Sequence, residues 1–169
     1  MRELDAHGLR QAVLDAAYGK PFLGICIGLQ MLFAKSDEGD VACLDVLPGA
    51  VRRFSGAMVN AAGERVKVPH MGWNRVHQVA AHPLWRAVPD QAYFYFVHSY
   101  YVETADAGLV AGTSDYPQPF TCAIARDNVF AVQFHPEKSG TDGLQLLKNF
   151  VRWQPATRLT RPRLATTAG

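Results

Sequence analysis

Two glycines flank Cys26 in the pentapeptide Gly24-Ile25-Cys26-Ile27-Gly28, and this spacing leaves few folds open to the chain. The apolar run Phe22–Cys26 predicts a short strand, and Leu29–Phe33 predicts a helix directly after the turn. A strand, a sharp turn and a helix form the unit from which α/β proteins are built. The pattern therefore predicts an α/β fold with Cys26 at a strand-to-helix turn.

The same pentapeptide has the form of a nucleophile elbow. Side chains two residues to either side of such a tight turn would collide, which explains the glycines at both flanking positions. At the start of a helix, the dipole and the free N–H groups favour the thiolate of Cys26, and the N–H of Ile27 can bind an oxyanion. The alternative interpretation is a structural cysteine buried in an apolar strand.

A thiolate needs a base, and His135 is the best candidate among the six histidines. It ends an apolar strand, and Glu137 stands two residues beyond it across a stiff proline, where a carboxylate can orient the ring. The alternative is a strand-end histidine beside a surface glutamate. We expect the other histidines in polar or proline-flanked segments to lie on the surface: His7, His77 and His82. The order cysteine, histidine, acid differs from that of serine-type α/β-hydrolases.

Helical and strand patterns alternate along the rest of the chain. The first seventeen residues predict a helix whose apolar face is Leu4, Leu9, Ala12, Val13, Ala16 and Ala17. Strands are predicted within 41–79, at Tyr93–Val102 with a break at His98-Ser99, and in a hairpin of Thr121–Arg126 and Val129–Phe134 around Asp127-Asn128. The last helix is predicted to begin after Ser139-Gly140, with one apolar face formed by Leu144, Leu147, Phe150 and Val151. We predict one domain over 1–153 and a disordered tail over 154–169.

Composition excludes several classes of protein. With 169 residues, 49% hydrophobic and 19% charged, the chain can form one compact domain. A net charge of +2 gives no electrostatic sign of a nucleic-acid partner. Three cysteines without CxxC spacing argue against a disulfide framework or a zinc site, so Cys43 and Cys122 are expected to be structural thiols. No apolar run is long enough to span a membrane and no export signal opens the chain, so we expect a soluble, cytoplasmic protein.

With these motifs the sequence resembles the class I (triad) glutamine amidotransferases. The matching stretches are Gly24-Ile25-Cys26-Ile27-Gly28-Leu29-Gln30 and Phe134-His135-Pro136-Glu137. Within the family it is similar to the glutaminase subunits of imidazole glycerol phosphate synthases, which serve histidine biosynthesis. That similarity is carried by Val68–Asn74, by Tyr95–Tyr100 and by His135–Ser139, and the whole resemblance runs from Leu4 to Trp153.

The resemblance implies a flavodoxin-like sheet with helices on both faces, truncated at its N-terminus. Family members begin with a strand, a helix and further strands, including a Pro-Gly-x-Gly loop that contributes to the oxyanion hole. None of this precedes Met1. We therefore expect Met1 to be an internal methionine of a longer reading frame, or the start of a truncated chain of uncertain catalytic competence.

The resemblance also implies a function without cofactor or metal. Cys26, His135 and Glu137 would form a catalytic triad that hydrolyses glutamine to glutamate and ammonia. The oxyanion and the substrate would be bound by Ile27, Gly28, Gln30, Ser99 and Tyr100. A heterodimeric partner, a cyclase with a (β/α)₈-barrel fold, would receive the ammonia and contact Trp73, Asn74, Tyr95 and Lys138.

Several alternatives stay open. Without the resemblance, Gln30 would be interpreted as an ordinary exposed helix residue. Trp73 and Tyr95 could be core aromatics and Lys138 a solvated charge. The chain could also be another class I amidotransferase, serving GMP, anthranilate or carbamoyl phosphate synthesis, or a non-catalytic protein that retains the elbow.

Overall fold

The structure is a computed structural model that describes residues 1–60 and 62–161. Four α-helices and ten strands are found within these residues. The helices are α1 (Arg2–Ala6), α2 (Arg10–Gly19), α3 (Ile27–Gln30) and α4 (Gly140–Arg152). The strands are β1 (Phe22–Ile25), β2 (Lys35–Ser36), β3 (Val41–Ala42), β4 (Ala50–Arg53), β5 (His70–Gln78), β6 (Ala92–His98), β7 (Tyr100–Glu103), β8 (Val110–Asp115), β9 (Pro119–Arg126) and β10 (Val129–Val132).

The ten strands form one mixed sheet. Strand β9 lies at its centre, since it pairs with β7, β8 and β10. Among the described strands, two pairings are parallel, β1 with β10 and β2 with β4, and the others are antiparallel. The predicted hairpin is confirmed as β9 and β10, whose turn places Asp127 at a φ of 50°.

The core lies on both faces of the sheet, and β10 explains why. Phe130 and Val132 join one buried cluster, to which α4 contributes Leu146. Val129 and Ala131 join a second cluster, which also contains residues of α3. A strand covered on both faces has no polar alternation, which accounts for the continuous apolar run in the sequence. The predicted α/β class, with helices on both faces, is confirmed.

Two helical predictions need correction. The first predicted helix is two helices, because the chain turns at Gly8 with a φ of +65°. Helix α4 is also rotated slightly from the predicted orientation: Leu147 and Phe150 are half-buried, but Leu144 is 62% and Val151 83% exposed. Its buried residues are Gly143 and Leu146. An added Cβ on Gly143 would collide with the carbonyl oxygen of Pro136, so this close approach sets which side of the helix faces inward.

The segment after α4 is packed rather than loose as far as the structure describes it. Leu159 is buried and its N–H donates to the Asn128 side chain at 2.7 Å. Arg161 pairs with Asp15 of α2. The sequence predicted disorder from 154 onwards; residues 162–169 of that prediction lie outside the described residues.

Strand β8 was missed by the sequence patterns. Its inward positions are small, and an added Cβ on Gly112 would lie 3.2 Å from Ala123 of β9, so tight packing replaces large apolar side chains. Over residues 1–60 and 62–161, no helix combines the length and the apolar character needed to cross a membrane.

Candidate active site

Cys26 occupies a strained turn between β1 and α3. Its φ of 52° and ψ of −108° lie in a region that side-chain-bearing residues rarely adopt. Such strain is retained where the surrounding structure enforces it, and it is common at functional sites. The conformation is that of the predicted elbow, with Cys26 partly exposed at the turn.

The two flanking glycines are required to different degrees. An added Cβ on Gly24 would lie 2.8 Å from both the Ala131 Cβ and the Gly28 carbonyl oxygen. At Gly28 an added Cβ would meet nothing within 4 Å among the described residues. The steric prediction therefore holds for Gly24 and is wrong for Gly28, which faces open space.

The environment of the Cys26 thiol opposes ionisation. Burial raises the pKa of Cys26, and hydrogen bonds from the Ile27 backbone N–H and from the Gln133 side chain offset part of that rise. The sequence predicted that the helix start would favour the thiolate. Helix α3 has only four residues, so its dipole is small, and desolvation outweighs it.

His135 and Glu137 form a hydrogen-bonded pair just after the end of β10. The ring Nδ1 lies 2.6 Å from Glu137 Oε1, across the 3₁₀ turn Pro136–Lys138. A carboxylate can only accept, so the neutral ring carries its proton on Nδ1 and its lone pair on Nε2. Within the described residues, His135 Nε2 is buried without a hydrogen-bond partner. The pair therefore presents an unoccupied basic nitrogen.

Parallel pairing brings the cysteine and the histidine to the same edge of the sheet. β1 and β10 run side by side, with Ile25 opposite Val132, and the Cys26 N–H donates to the Val132 carbonyl at 2.8 Å. Cys26 and His135 thus follow the carboxyl ends of neighbouring strands. The charge of Glu137 adds to the rise in the pKa of Cys26, as expected of a nearby carboxylate.

Gln30 lies in the interior, not on an exposed helix surface. It is 7% exposed, and its Nε2 donates to the Tyr100 carbonyl at 3.2 Å and to Gln133 Oε1 at 3.0 Å. Gln133 was missed by the sequence analysis, although a glutamine between Val132 and Phe134 is a polar interruption of an apolar run. Its Nε2 lies 3.6 Å from Cys26 Sγ.

Ser99 lies between β6 and β7, and Tyr100, which contacts this cluster, is the first residue of β7. The Tyr100 carbonyl accepts from Gln30 and from His98 Nδ1, and the Ser99 carbonyl accepts from the Phe54 N–H. Both carbonyls are therefore engaged internally. A role for this backbone in holding a substrate stays a prediction.

The predicted partner-facing residues lie on β5 (Trp73 and Asn74), on β6 (Tyr95) and in the 3₁₀ turn after His135 (Lys138). Trp73 is 55% exposed, which excludes the interpretation of this residue as a core aromatic. Its ring packs edge-to-face against Tyr95, with the ring centroids 6.1 Å apart. The Tyr95 carbonyl accepts the His135 N–H at 2.9 Å, so this surface adjoins the catalytic candidates. Lys138 is exposed, and Asn74 is half-buried with its amide on the Asp115 carbonyl.

One predicted surface histidine is not on the surface. His82 stacks on Phe130 with ring centroids 4.6 Å apart, and its side chain accepts the Leu84 N–H as the cap of a 3₁₀ helix. Burial lowers the pKa of His82 to about 4. His7 and His77 are exposed as predicted. In the described part of the chain, no group of three or more histidine, cysteine or acidic side chains could hold a metal ion.

Comparison with known proteins identifies relatives along nearly the whole chain. The family model of class-I glutamine amidotransferases matches residues 3–153. The imidazole glycerol phosphate synthase subunit HisH of Dechloromonas aromatica is 64% identical over 92% of this chain and 72% of its own length. The HisH of Thiobacillus denitrificans is 61% identical over 92% of this chain and 68% of its own length.

Solved structures share the fold at low sequence identity. A GMP synthase subunit from Thermoplasma acidophilum superimposes with a TM-score of 0.58 at 20% identity, over 89% of this chain and 65% of that one. A glutamine amidotransferase from Thermotoga maritima gives a TM-score of 0.56 at 20% identity, over 89% of this chain and 55% of that one. The chain thus spans less than two thirds of these two structures.

Proposed function

This chain belongs to the class I glutamine amidotransferase family, and from that premise we propose that it is the glutaminase subunit of an imidazole glycerol phosphate synthase. It hydrolyses the side-chain amide of glutamine and supplies the ammonia to a partner subunit in histidine biosynthesis. The identity to HisH proteins, which exceeds 60% in several relatives, supports this assignment over other members of the family.

The observation that carries the chemistry is the orientation of His135. Its Nδ1 is engaged by Glu137 and its Nε2 is buried and free within the described residues, at the end of the strand parallel to the one that leads into Cys26. Because burial raises the pKa of Cys26, the thiol needs a base to take its proton. His135 Nε2 is that base, and Glu137 stabilises the imidazolium that results.

The first half of the reaction releases ammonia. The Cys26 sulfur attacks the amide carbon of glutamine, and the carbonyl electrons move onto oxygen. The N–H of Ile27 stabilises that oxyanion; one such donor typically contributes a factor of about 10²–10³ in turnover. The imidazolium Nε2–H then protonates the leaving nitrogen, the carbon–nitrogen bond breaks, and a γ-glutamyl thioester remains.

The second half regenerates the enzyme. Neutral His135 takes a proton from water, and the hydroxide adds to the thioester carbon. The carbon–sulfur bond breaks to release glutamate, and the imidazolium returns its proton to the departing Cys26 sulfur. Gln30 and the backbone of Ser99 and Tyr100 line the position where the amino-acid end of glutamine is held.

The partner is a cyclase subunit with a (β/α)₈-barrel fold, docked on Trp73, Asn74, Tyr95 and Lys138. The exposure of Trp73 and the backbone link from Tyr95 to His135 support this placement, because ammonia then leaves the site directly into the interface. A cytoplasmic location, which the sequence predicted, stays a prediction.

The decisive test compares two nitrogen sources in a mixture of this chain, the cyclase and its nucleotide acceptor. We expect Cys26→Ala to abolish synthesis from glutamine and to leave synthesis from ammonium salts intact. Cys122→Ala, which removes a fully buried thiol, should keep both activities. Loss of both activities in Cys26→Ala would assign Cys26 a structural role and overturn the mechanism.

A further inference from the structure

Gln133 is a buried amide in an apolar setting. The residue is 0% exposed, and its neighbours Val132 and Phe134 belong to the core. An unpaired amide in such a place would be strongly unfavourable. Its side chain is paired at both ends: Oε1 accepts from Gln30 Nε2 at 3.0 Å, and Nε2 donates to Cys26 Sγ at 3.6 Å.

The direction of both amides follows from one carbonyl. The Tyr100 carbonyl can only accept, so Gln30 must turn its Nε2 towards it, at 3.2 Å. The second hydrogen of that nitrogen reaches Gln133, which must therefore offer its oxygen. The Gln133 nitrogen is then left for the sulfur of Cys26.

The same carbonyl also fixes two buried histidines. His98 Nδ1 lies 2.8 Å from the Tyr100 carbonyl, so neutral His98 carries its proton on Nδ1 and accepts on Nε2. His70 Nδ1, 2.9 Å away, donates to that nitrogen, and the free His70 Nε2 faces the Asn74 amide at 3.4 Å. Desolvation lowers the pKa of His70 to about 3 and of His98 to about 4, so both rings are neutral near pH 7.

We propose that Gln133 is a positioning residue for the Cys26 sulfur, at the end of a short series of hydrogen bonds in which Gln30 donates to Gln133 and Gln133 donates to the sulfur. The separate series from Asn74 through His70 and His98 ends at the Tyr100 carbonyl, which orients Gln30. The proposal rests on the glutaminase function, since it assigns Gln133 the task of preparing the nucleophile. A thiolate is a stronger acceptor than a thiol, so the Gln133 N–H bond favours the charged form and holds the sulfur at one place. Gln30 cannot replace it, because its own nitrogen is committed to Tyr100 and Gln133.

The test measures how fast iodoacetamide alkylates Cys26 as a function of pH, with the cysteines distinguished by peptide mass mapping. Gln133→Met keeps the side-chain length and removes the donor. We expect labelling at pH 7 to slow by up to about tenfold and the pH midpoint to rise by up to about one unit, the size of a net hydrogen-bond effect. Gln11→Met, an exposed glutamine of α2, should label like the unmodified protein.

A superimposable pH profile in Gln133→Met would overturn the proposal, because a merely structural role predicts no change in thiol ionisation. If Gln133→Met fails to fold, Gln133→Asn serves instead: it retains a buried amide but is too short to reach both Gln30 and Cys26. Alkylation requires no glutamine turnover. A shifted profile in a protein without glutaminase activity would therefore refute the proposed function alone, and an active enzyme with an unshifted profile would refute the positioning role alone.

Discussion

His135 Nδ1 lies 2.6 Å from Glu137 Oε1, and the opposite nitrogen of the same ring is buried without a partner in the part of the chain that the structure describes. One contact therefore fixes which nitrogen is basic. The turn Pro136–Lys138 builds this pair from residues almost adjacent in sequence, and the N–H of His135 is held by the Tyr95 carbonyl at 2.9 Å. His135 is therefore held at two points, its ring by Glu137 and its backbone N–H by the Tyr95 carbonyl.

Glu137→Gln should separate orientation from charge. The amide oxygen can still accept from Nδ1–H, but it no longer stabilises an imidazolium, so we expect kcat to fall by about a hundredfold, the lower end of general acid–base effects. Glu137→Ala should lose more, because the ring is then free to turn. Steady-state glutamine hydrolysis in the complex measures both. Equal rates for Glu137→Gln and the unmodified enzyme would exclude a role for the charge.

The elbow should tolerate alanine at one glycine and not at the other. In Gly24→Ala the new methyl would lie 2.8 Å from Ala131 Cβ and from the Gly28 carbonyl, so we expect a loss of about 1–3 kcal/mol in the free energy of unfolding. Gly28→Ala has open space and should fold with unchanged stability. Urea denaturation measures the free energy of unfolding of each variant. Similar losses in the two variants would contradict the prediction.

Asn128 ties three distant segments together. Its amide donates to the carbonyls of Ala17 and Lys20 at 2.7 and 2.5 Å, and its oxygen accepts the Leu159 N–H at 2.7 Å. Asn128→Ala leaves these groups unpaired in a fully buried place, and we expect a loss of about 2–4 kcal/mol in the free energy of unfolding.

Asn128→Asp is the matched variant for this contact, since it keeps the acceptor for Leu159 but cannot donate to the two carbonyls. In chemical denaturation, the free energy of unfolding of Asn128→Asp should be lower than that of the unmodified protein. A variant Asn128→Ala as stable as the original would show that the contacts contribute nothing to stability.

The buried histidines predict that stability decreases on the acid side. His70 and His98 have folded pKa values of about 3 and about 4, whereas an unfolded histidine titrates near 6.5. Below about pH 6.5 the unfolded chain binds more protons, so the free energy of unfolding falls with falling pH, by at most about 1.4 kcal/mol per pH unit for each ring. Above that pH the contribution is constant.

Urea titrations at pH 7.5 and pH 5 check this expectation. His98→Asn should reduce the difference between the two midpoints, because one of the three rings with a lowered pKa, His70, His82 and His98, no longer titrates. His7→Asn, which alters an exposed ring, should leave the difference as it is. An identical midpoint at the two pH values would mean that the unfolded state gains no protons over the folded one.

Local signals in the sequence predicted those parts of the molecule that depend on neighbours in the chain. The elbow at Cys26, the hairpin turn at Asp127 and the His135–Glu137 pair each arise within a few residues, so spacing alone reveals them. The family resemblance added Gln30, whose spacing alone favoured an exposed helix residue.

Contacts between residues far apart in the sequence could not be predicted from such local patterns. Gln30 meets Gln133 across 103 positions, and Asn128 reaches Ala17 across 111. The orientation of α4 depends on the close approach of Gly143 to the Pro136 carbonyl, and the spacing of apolar residues does not predict this contact. The burial that raises the pKa of Cys26 likewise depends on residues distant in sequence, so the elbow motif alone did not predict it.

The partner surface can be separated from the core by comparing affinity with stability. Trp73 is 55% exposed, so truncating it removes little buried area from the isolated chain. We expect Trp73→Ala to weaken binding to the cyclase by tenfold or more, as roughly 2 kcal/mol is typical of a central aromatic contact. The free energy of unfolding should change by no more than about 0.5 kcal/mol.

Val151→Ala provides the control, because Val151 is 83% exposed but lies on α4, outside the proposed interface. Titration calorimetry with the cyclase and thermal unfolding of each variant give the two quantities independently. If Trp73→Ala lost stability and affinity together, the Trp73 ring would contribute to the stability of the fold rather than specifically to the interface. If neither changed, the cyclase would dock elsewhere, and ammonia would need a route that does not pass the Tyr95 side of His135.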